Sequence, residues 1–352
     1  MKMSEERKVQ ELMGAPGSPY TRKMLGVMRY RHIPYRLERQ SRIANSSEGD
    51  HRKKRVQPKV SLLPTFYFND DNGEETAVTD SSPLIRRFEK EYQGRSVIPT
   101  DPGLAFIDML LEDYGDEWLT KAMFHYRWAF APDAEKAGKI LPRWGGSQSP
   151  DESLDAIGAT FSKRQIDRLW VVGSNATTAP LIEASYERFL LLMEDHLRAH
   201  RFLLGDRPGA GDFALYGQLT QLALFDPTAV ATTLRVAPRV YAWTELVEDL
   251  SGLEPEPDHW FSRDALPDTL RALLREMGRV YPPFLLANAT ALEAGHDEVV
   301  CEIDGQRWTQ RPFPYQAKCL EWLRRDYRAL GTSDRAFIGQ VIAGTGLEAL
   351  FD

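Results

Sequence analysis

The sequence predicts an N-terminal α/β unit, then an all-helical region, then an appended α+β tail. Three observations predict this. Residues 1–100 read strand, helix, strand and then hairpin, helix; beyond Pro102 the strand patterns disappear; and Asp304-Gly305 joins two short runs near the end, the strongest hairpin signal in the chain. At about 150 residues per domain, 352 residues make two domains and a remainder. The expected division is 1–100, 101–250 and 251–352.

Val9 to Met13 is a short apolar strand, and Gly14, Ala15, Pro16 and Gly17 form a tight turn after it. Ser18 is a good N-cap and Pro19 fits the first helical position. Tyr20, Met24, Val27 and Met28 recur at helical spacing, with Arg22, Lys23 and Arg29 on other faces, and the helix ends near His32. Ile33, Tyr35 and Leu37 then alternate with polar residues, which makes a parallel strand pair. Residues 40–58 are polar and irregular. Thr65 to Phe68 and Thr76 to Thr79 flank the turn NDDNG as a hairpin, and Asp80 or a neighbouring serine caps a helix that turns Leu84, Ile85 and Phe88 inward.

One long aromatic-rich helix is expected from Leu104 to about Phe130, with Ile107, Leu111, Tyr114 and Trp118 on one face. Residues 131–151, rich in Pro, Gly and Ser, read as a loop, followed by helices at about 152–170 and 181–200. Phe213 to Phe225 is apolar on nearly every side, as a central buried helix would be. SGLEPEPDHW at 251–260 reads as a boundary with a separate piece beyond it: a helix near 267–290, the hairpin 299–309, and helices at about 315–330 and 333–350.

Composition excludes several function classes. Hydrophobic residues make up 42% and charged residues 27%, and no apolar run is long enough to cross a bilayer. A net charge of -7 does not suit a phosphate-backbone binder, so neither nucleic acid nor membrane is an expected partner. Cys301 and Cys319 are the two cysteines, and the start of the chain is charged where a secretory signal is apolar. A reducing cytoplasm without a disulfide framework is expected.

A helix N-terminus presents unpaired N–H groups and partial positive charge, so the Ser18 hydroxyl either caps its helix or donates to an anion held in front of it. If the anion is a thiolate, a hydrogen bond to a charged acceptor contributes about 1.5–3 kcal/mol and the helix terminus about 0.3–1 kcal/mol. At about 1.36 kcal/mol per pKa unit, a thiol pKa of about 8.5 falls by roughly one to three, enough to ionise it near neutrality. Pro64, opening a strand, suits a cis peptide that leaves the Leu63 backbone free to pair with an extended peptide. At Asp80-Ser81 a carboxylate can hold an ammonium while the hydroxyl and helix N–H groups hold a carboxylate.

With these motifs in order, GSPYTRK at 17–23, SLLPTF at 61–66 and TDSSPLIRRFEKEY at 79–92 resemble the N-terminal thioredoxin-like domain of the glutathione transferase superfamily, and RFLLGDRPGAGDFALYGQL at 201–219 resembles its all-helical C-terminal domain. The resemblance covers about residues 8–250 and implies a serine-type, bacterial-like member with a long extension. It implies that Ser18 activates glutathione, that Leu63 and Pro64 present backbone to it, that Asp80 and Ser81 grip its γ-glutamyl end, and that the protein is a homodimer. Tyr20 stands next to Ser18 as a second glutathione contact. The pattern departs at Gly209, where a Ser or Thr three residues before Asp212 would complete a helix cap. The basic cluster His51 to Arg55 is either a solvated loop or a partner for an acidic group.

The aromatics Tyr114, Trp118, Phe124, Tyr126 and Trp128 form either core or the wall of an acceptor pocket, with Tyr114 and Trp118 singled out for it. Gly209, Gly211 and Ala214 match a dinucleotide fingerprint without the strand it needs. His196 and His200 have metal-like spacing without the expected glutamate, and no metal is expected. The function that follows is a glutathione-dependent transferase or lyase whose thiolate attacks a small hydrophobic electrophile. The alternatives are a non-catalytic binding module of the same fold, or a thiol-disulfide oxidoreductase, which needs a cysteine at the helix cap where this chain has Ser18.

Overall fold

The computed structural model describes residues 9–39, 55–70, 72–256 and 259–352. Four strands form one sheet in the order β2-β1-β3-β4: β1 (Gln10–Gly14), β2 (Tyr35–Arg39), β3 (Thr65–Asn69) and β4 (Glu75–Val78). The α1 helix (Pro19–Tyr30) crosses from β1 to its parallel partner β2, and β3 and β4 run antiparallel beside them. Register places Leu12 opposite both Leu37 and Phe66. The α2 helix (Ser81–Glu91) covers this apolar row, and Phe88 meets Phe66 edge-on. The βαβ–ββα order is the one the alternating patterns predict.

Helices follow: α3 (Pro102–Tyr114), α4 (Thr120–Ala129), α5 (Ala131–Gly145), α6 (Asp151–Ile166), α7 (Ala179–His196), α8 (Ala210–Leu222), α9 (Pro227–Val236) and α10 (Pro238–Val247). The single helix expected over 104–130 is interrupted by a π-helical turn at Gly115–Leu119. A Cβ at Gly115 would come within 3.1–3.2 Å of Ala214 and Leu215, so α8 presses against the wide turn. The loop expected at 131–151 is instead mostly α5. Pro132 sits in the first turn, where no N–H is needed, while Pro142 lies inside the helix and removes the one bond that the Gly138 carbonyl would have accepted.

The α8 helix is buried at every residue. Its N-terminus is closed from two sides. Asp212 accepts from the N–H groups of Gly209 and Leu203, each at 2.9 Å, while Asp108 of α3 accepts from those of Ala210 (3.1 Å) and Gly211 (3.0 Å). Asp108 therefore supplies what the missing cap hydroxyl would have done. It requires Gly209, because a Cβ there would lie 2.2 Å from Asp108 Oδ1.

The tail comprises α11 (Asp268–Glu293), the hairpin β5 (Val299–Ile303) and β6 (Gln306–Gln310), α12 (Pro314–Ala329), α13 (Thr332–Ile342) and a final 3-10 turn. The tail packs against the rest of the chain: Trp260 bridges to Gly205, and Leu270, Met277, Trp308 and Leu350 share one apolar cluster with Leu12 and Phe213. The hairpin lies over Lys121 of α4. That fully buried ammonium donates to Gln310 Oε1 at 3.0 Å and stands 3.8 Å from the Phe284 ring centre.

Burial pulls the Lys121 pKa from its ordinary value down to about 7, with nearby Glu117 opposing the shift. The unfolded chain keeps the lysine protonated up to about pH 10.4. Between those values the unfolded state holds the extra proton, so this group's penalty shrinks as pH rises through the window and is fully present below it. At about 1.36 kcal/mol per pKa unit the penalty at pH 7 is roughly 5 kcal/mol. Lys121→Met is expected to be more stable than the parent in urea unfolding at pH 7, by an amount that narrows toward pH 10. A constant difference across that range would contradict the assignment.

Candidate active site

The turn after β1 is built to hold Ser18. Gln221 Nε2 donates to the Pro16 carbonyl at 3.1 Å, and Arg127 Nη1 donates to the Gly17 carbonyl at 3.0 Å. Arg127 is itself gripped by Asp226 through Nε and Nη2 at 2.9–3.1 Å, and by Gln221 Oε1 at 2.7 Å. Gly17 has no substitute, since a Cβ there would stand 2.8 Å from the Trp144 ring. Ser18, thus fixed, accepts from Thr21 N–H at 3.2 Å as N-cap of α1 and donates through Oγ to the Leu63 carbonyl at 3.1 Å. The Leu63–Pro64 bond is cis.

Ser18 and Leu63 border an apolar cavity of about 260 Å³. Its opposite wall consists of Phe124, Arg127 and Trp128 from α4, Leu141 and Trp144 from α5, and Phe161 from α6. The α5–α6 pair packs closely at Gly138 and Gly158, where a Cβ on Gly158 would lie 2.1 Å from the Gly138 carbonyl oxygen. Pro142 cannot donate to that carbonyl, which leaves its face open to α6. No cysteine lines the cavity: Cys301 and Cys319 are free and lie elsewhere, and burial pushes the Cys301 thiol up to about 11.

Asp80 and Ser81 stand at the start of α2. Behind them is a buried charge cluster that sequence reading did not single out. Lys23, expected on an outer face of α1, is wholly buried: its ammonium meets Glu112 Oε1 at 2.8 Å, Asp116 Oδ2 at 2.6 Å, and the Ser81 and Ser82 hydroxyls at 3.2 and 3.3 Å. Burial drives the Asp116 carboxyl up to about 6 although Lys23 opposes it, and Asp113 beside it to about 7. The signal for this cluster was Glu112, Asp113, Asp116 and Glu117 repeating at i, i+4 inside an otherwise apolar stretch.

Three expected residues are placed away from the cavity. Tyr20 turns inward and donates to the Asp116 carbonyl at 2.8 Å, because the π-helical turn leaves that oxygen exposed to it. Tyr114 packs against Phe189 and Tyr281, and Trp118 against Trp308 and Phe284, so the tail converts this stripe into core. Phe124 and Trp128, one turn apart on another face, line the cavity, and Tyr126 does not. Arg55 is buried among Glu11, Glu38 and Glu75, and the rest of the cluster, 51–54, lies outside the described residues. His196 has both ring nitrogens engaged, by Thr269 and the Phe202 carbonyl, and among the described residues no cluster of His, Cys, Asp or Glu is arranged to hold a metal. No described helix is long and apolar enough to cross a membrane.

Removing one partner of a buried ion pair leaves an uncompensated charge and costs about 3–5 kcal/mol. Asp226 is fully buried, so Arg127→Met is expected to lose stability of that order in urea unfolding. Adding Asp226→Leu should restore much of the loss; no recovery in the double variant would show that packing of the side-chain stem dominates.

Comparison with known proteins follows the same division of the chain. Residues 12–96 match the model of the glutathione S-transferase N-terminal domain, and residues 151–246 that of the glutathione S-transferase C-terminal domain, together just over half of the sequence. No curated protein matches the chain. Among solved structures, a glutathione S-transferase of Methylobacterium radiotolerans in complex with glutathione sulfonate is 16% identical, with 67% of this chain and 93% of that one covered and a TM-score of 0.34. The Tau class enzyme of mango, Mangifera indica, is 18% identical over 72% of this chain and 95% of that one, with a TM-score of 0.36. Maleylacetoacetate isomerase of Anaeromyxobacter dehalogenans is 14% identical over 72% and 97%, with a TM-score of 0.34. By the two matched domains, in the order and at the positions where the sheet and the helical bundle lie, the chain belongs to the glutathione S-transferase superfamily.

Proposed function

We propose that this protein is a glutathione-dependent transferase or lyase of the serine type, in which the glutathione thiolate attacks a small hydrophobic electrophile. The observation that carries the reading is the Ser18 hydroxyl, at a helix N-terminus and on the wall of an apolar cavity that holds no thiol of its own. The sulfur nucleophile must then come from a ligand.

In this reading Leu63 pairs through its backbone with the extended tripeptide, Pro64 holding it in place, while Asp80 and Ser81 take the γ-glutamyl ammonium and carboxylate. Ser18 Oγ, now directed at the Leu63 carbonyl, rotates to donate to the thiolate, and the α1 N-terminus adds its partial charge. The electrophile sits against Phe124, Trp128, Trp144 and Phe161. A cavity of about 260 Å³ is below the range of about 300–1,000 Å³ for drug-sized ligands, so a compact group of one or two rings fits it. A thiol-disulfide oxidoreductase is disfavoured because no cysteine reaches the cavity.

The test combines retention on immobilised glutathione with turnover of a generic aromatic electrophile. Ser18→Ala is expected to lower kcat/KM by roughly 10–150-fold near neutral pH, the equivalent of one charged hydrogen bond, with glutathione affinity nearly unchanged. The thiol pKa of the bound complex should rise by one or more, read from thiolate absorbance against pH. Unchanged turnover would remove Ser18 from the mechanism. Retention without turnover by the parent would favour the non-catalytic binding module. Asp80→Ala is expected to weaken glutathione binding by at least tenfold with the fold retained by circular dichroism, and parent-like affinity would refute the γ-glutamyl assignment.

A further inference from the structure

Asp80 is held in an unusual state. Its φ of 84° lies in the left-handed region that a side chain other than glycine's rarely adopts. It occupies the N-cap of α2, where aspartate is among the best residues, yet its carboxylate makes no well-formed cap bond. Position N3 of the helix is Pro83, which has no N–H to offer, and the Ser82 N–H only favours the charge. Strain and an unused cap together leave the carboxylate free for another partner.

That partner comes from the tail. Tyr315, 235 residues away in sequence, donates its hydroxyl to Asp80 Oδ2 at 2.9 Å. Its approach is fixed from behind. The buried Asn288 of α11 accepts from the Phe313 N–H at 2.8 Å and donates to the Phe313 carbonyl at 3.0 Å, while Gln316 donates to the Glu117 carboxylate at 3.1 Å. Beside Tyr315 runs a cleft of about 520 Å³, bordered by Ser82, Glu112 and Asp116 and, on its other side, by Arg86, Arg87 and Arg325; Asp80 adjoins it through Tyr315. Asp116 lines it with a side chain that is nine-tenths buried, and its Oδ1 has no hydrogen-bond partner. Around this point stand the carboxylates of Asp80, Glu112 and Asp116, with Lys23 against two of them and Arg86 against Glu112. Lys23 and Arg86 answer Glu112 and one oxygen of Asp116, which leaves Asp116 Oδ1 and the half-buried Asp80 carboxylate as the acceptors still open to a cationic ligand group.

We propose that the tail completes the head-group end of the binding site: Tyr315 is a positioning residue that orients Asp80 for the α-ammonium of the ligand's γ-glutamyl group. This rests on the glutathione reading above and adds to it a recognition element from the tail, beyond residue 250. The ligand class that follows bears a primary ammonium next to a carboxylate, with the carboxylate toward the α2 N-terminus and the ammonium toward Asp80 and Asp116.

The test uses the full chain and two probes, glutathione and its des-amino analogue, which lacks only the α-ammonium. Tyr315→Phe removes one oxygen. It is expected to weaken glutathione binding by about tenfold in calorimetry and to raise the glutathione KM while leaving kcat at saturation within about twofold. The same variant should bind the des-amino analogue as the parent does, a distinction that a merely structural role would not produce. Because Asp80 and Tyr315 act through one contact, Asp80→Asn and Tyr315→Phe should be non-additive in a double-mutant cycle. If the parent binds glutathione and Asp80→Asn weakens it, but Tyr315→Phe does not, this proposal fails alone. If Tyr315→Phe weakens both probes equally, it also fails. If the parent binds neither probe, the underlying reading fails with it.

Discussion

Every residue of α8 is buried, so the N–H groups at its start have no water to turn to and must be met by protein. Asp212 and Asp108 meet them, and both carboxyls are pushed upward by the burial this requires. The arrangement fixes the distance between α3 and α8, because Asp108 reaches the helix end only over the bare Gly209. The rest of the site is measured from α8. Gly217 admits the Pro19 carbonyl, where a Cβ would stand at 2.6 Å, and Gly26 admits Phe213, so α1 lies close along it. At the far end, Gln221 and Asp226 hold the Pro16 carbonyl and Arg127. The Ser18 hydroxyl is thus placed by a helix two hundred residues further along the chain.

The interior carries more charge than a core of this kind needs for stability. Lys23, Glu112, Asp116, Arg127 and Asp226 are all buried, and buried pairs of this type give little net stabilisation relative to apolar replacements. Their use is geometric. A guanidinium that bonds Asp226, Gln221 and the Gly17 carbonyl at once leaves one position for the turn, where an apolar side chain would leave several. Lys23 does the same for the start of α2 by reaching Ser81, Ser82, Glu112 and Asp116 together. The tail adds contacts of its own, from Tyr315 to Asp80, from Gln316 to Glu117 and from Trp308 to Trp118.

The legible parts of the sequence were those whose physics is local. The Gly-rich turn into Ser18-Pro19, the proline at 64, the Asp304-Gly305 hairpin and the all-apolar stretch at 213–225 each declare a conformation within a few residues. What was not legible depends on contacts far apart in the chain. Pro132 and Pro142 read as breakers because nothing nearby shows that the first falls in the opening turn of a helix and that the second is carried inside it, where its missing N–H leaves the Gly138 carbonyl facing α6. The burial of Lys23, placed only off the apolar face of its helix, could not be read because its counter-ions are about ninety residues downstream. Tyr114 and Trp118 stayed open between core and pocket wall because the residues that cover them, Tyr281, Phe284 and Trp308, belong to the tail. The Gly209 departure misled in the opposite sense: an absent cap hydroxyl implied a weakened helix start, whereas Asp108 supplies the function from another helix.

The two sides of the cavity are tied to the molecule in different ways. Ser18 and Leu63 hang from the sheet, α1 and α8, all within the main apolar cluster. The opposite wall, α5 and α6, is attached through a small separate cluster of Trp128, Ala137 and Phe225, with Trp144, Phe161 and Leu141 packed around it. Within that hairpin the contact at Gly138 and Gly158 is tight, backbone against backbone, and the buried Asp133 of α5 accepts from the Thr228 N–H of α9 at 2.9 Å. The physical division therefore separates the side that carries Ser18 and Leu63 from a helical hairpin whose aromatic faces line the rest of the cavity. Changes of side chain on α6 alter the shape of the cavity without touching the turn that holds Ser18, whereas Trp144 and Leu141 of α5 stand against Gly17 and reach that turn directly.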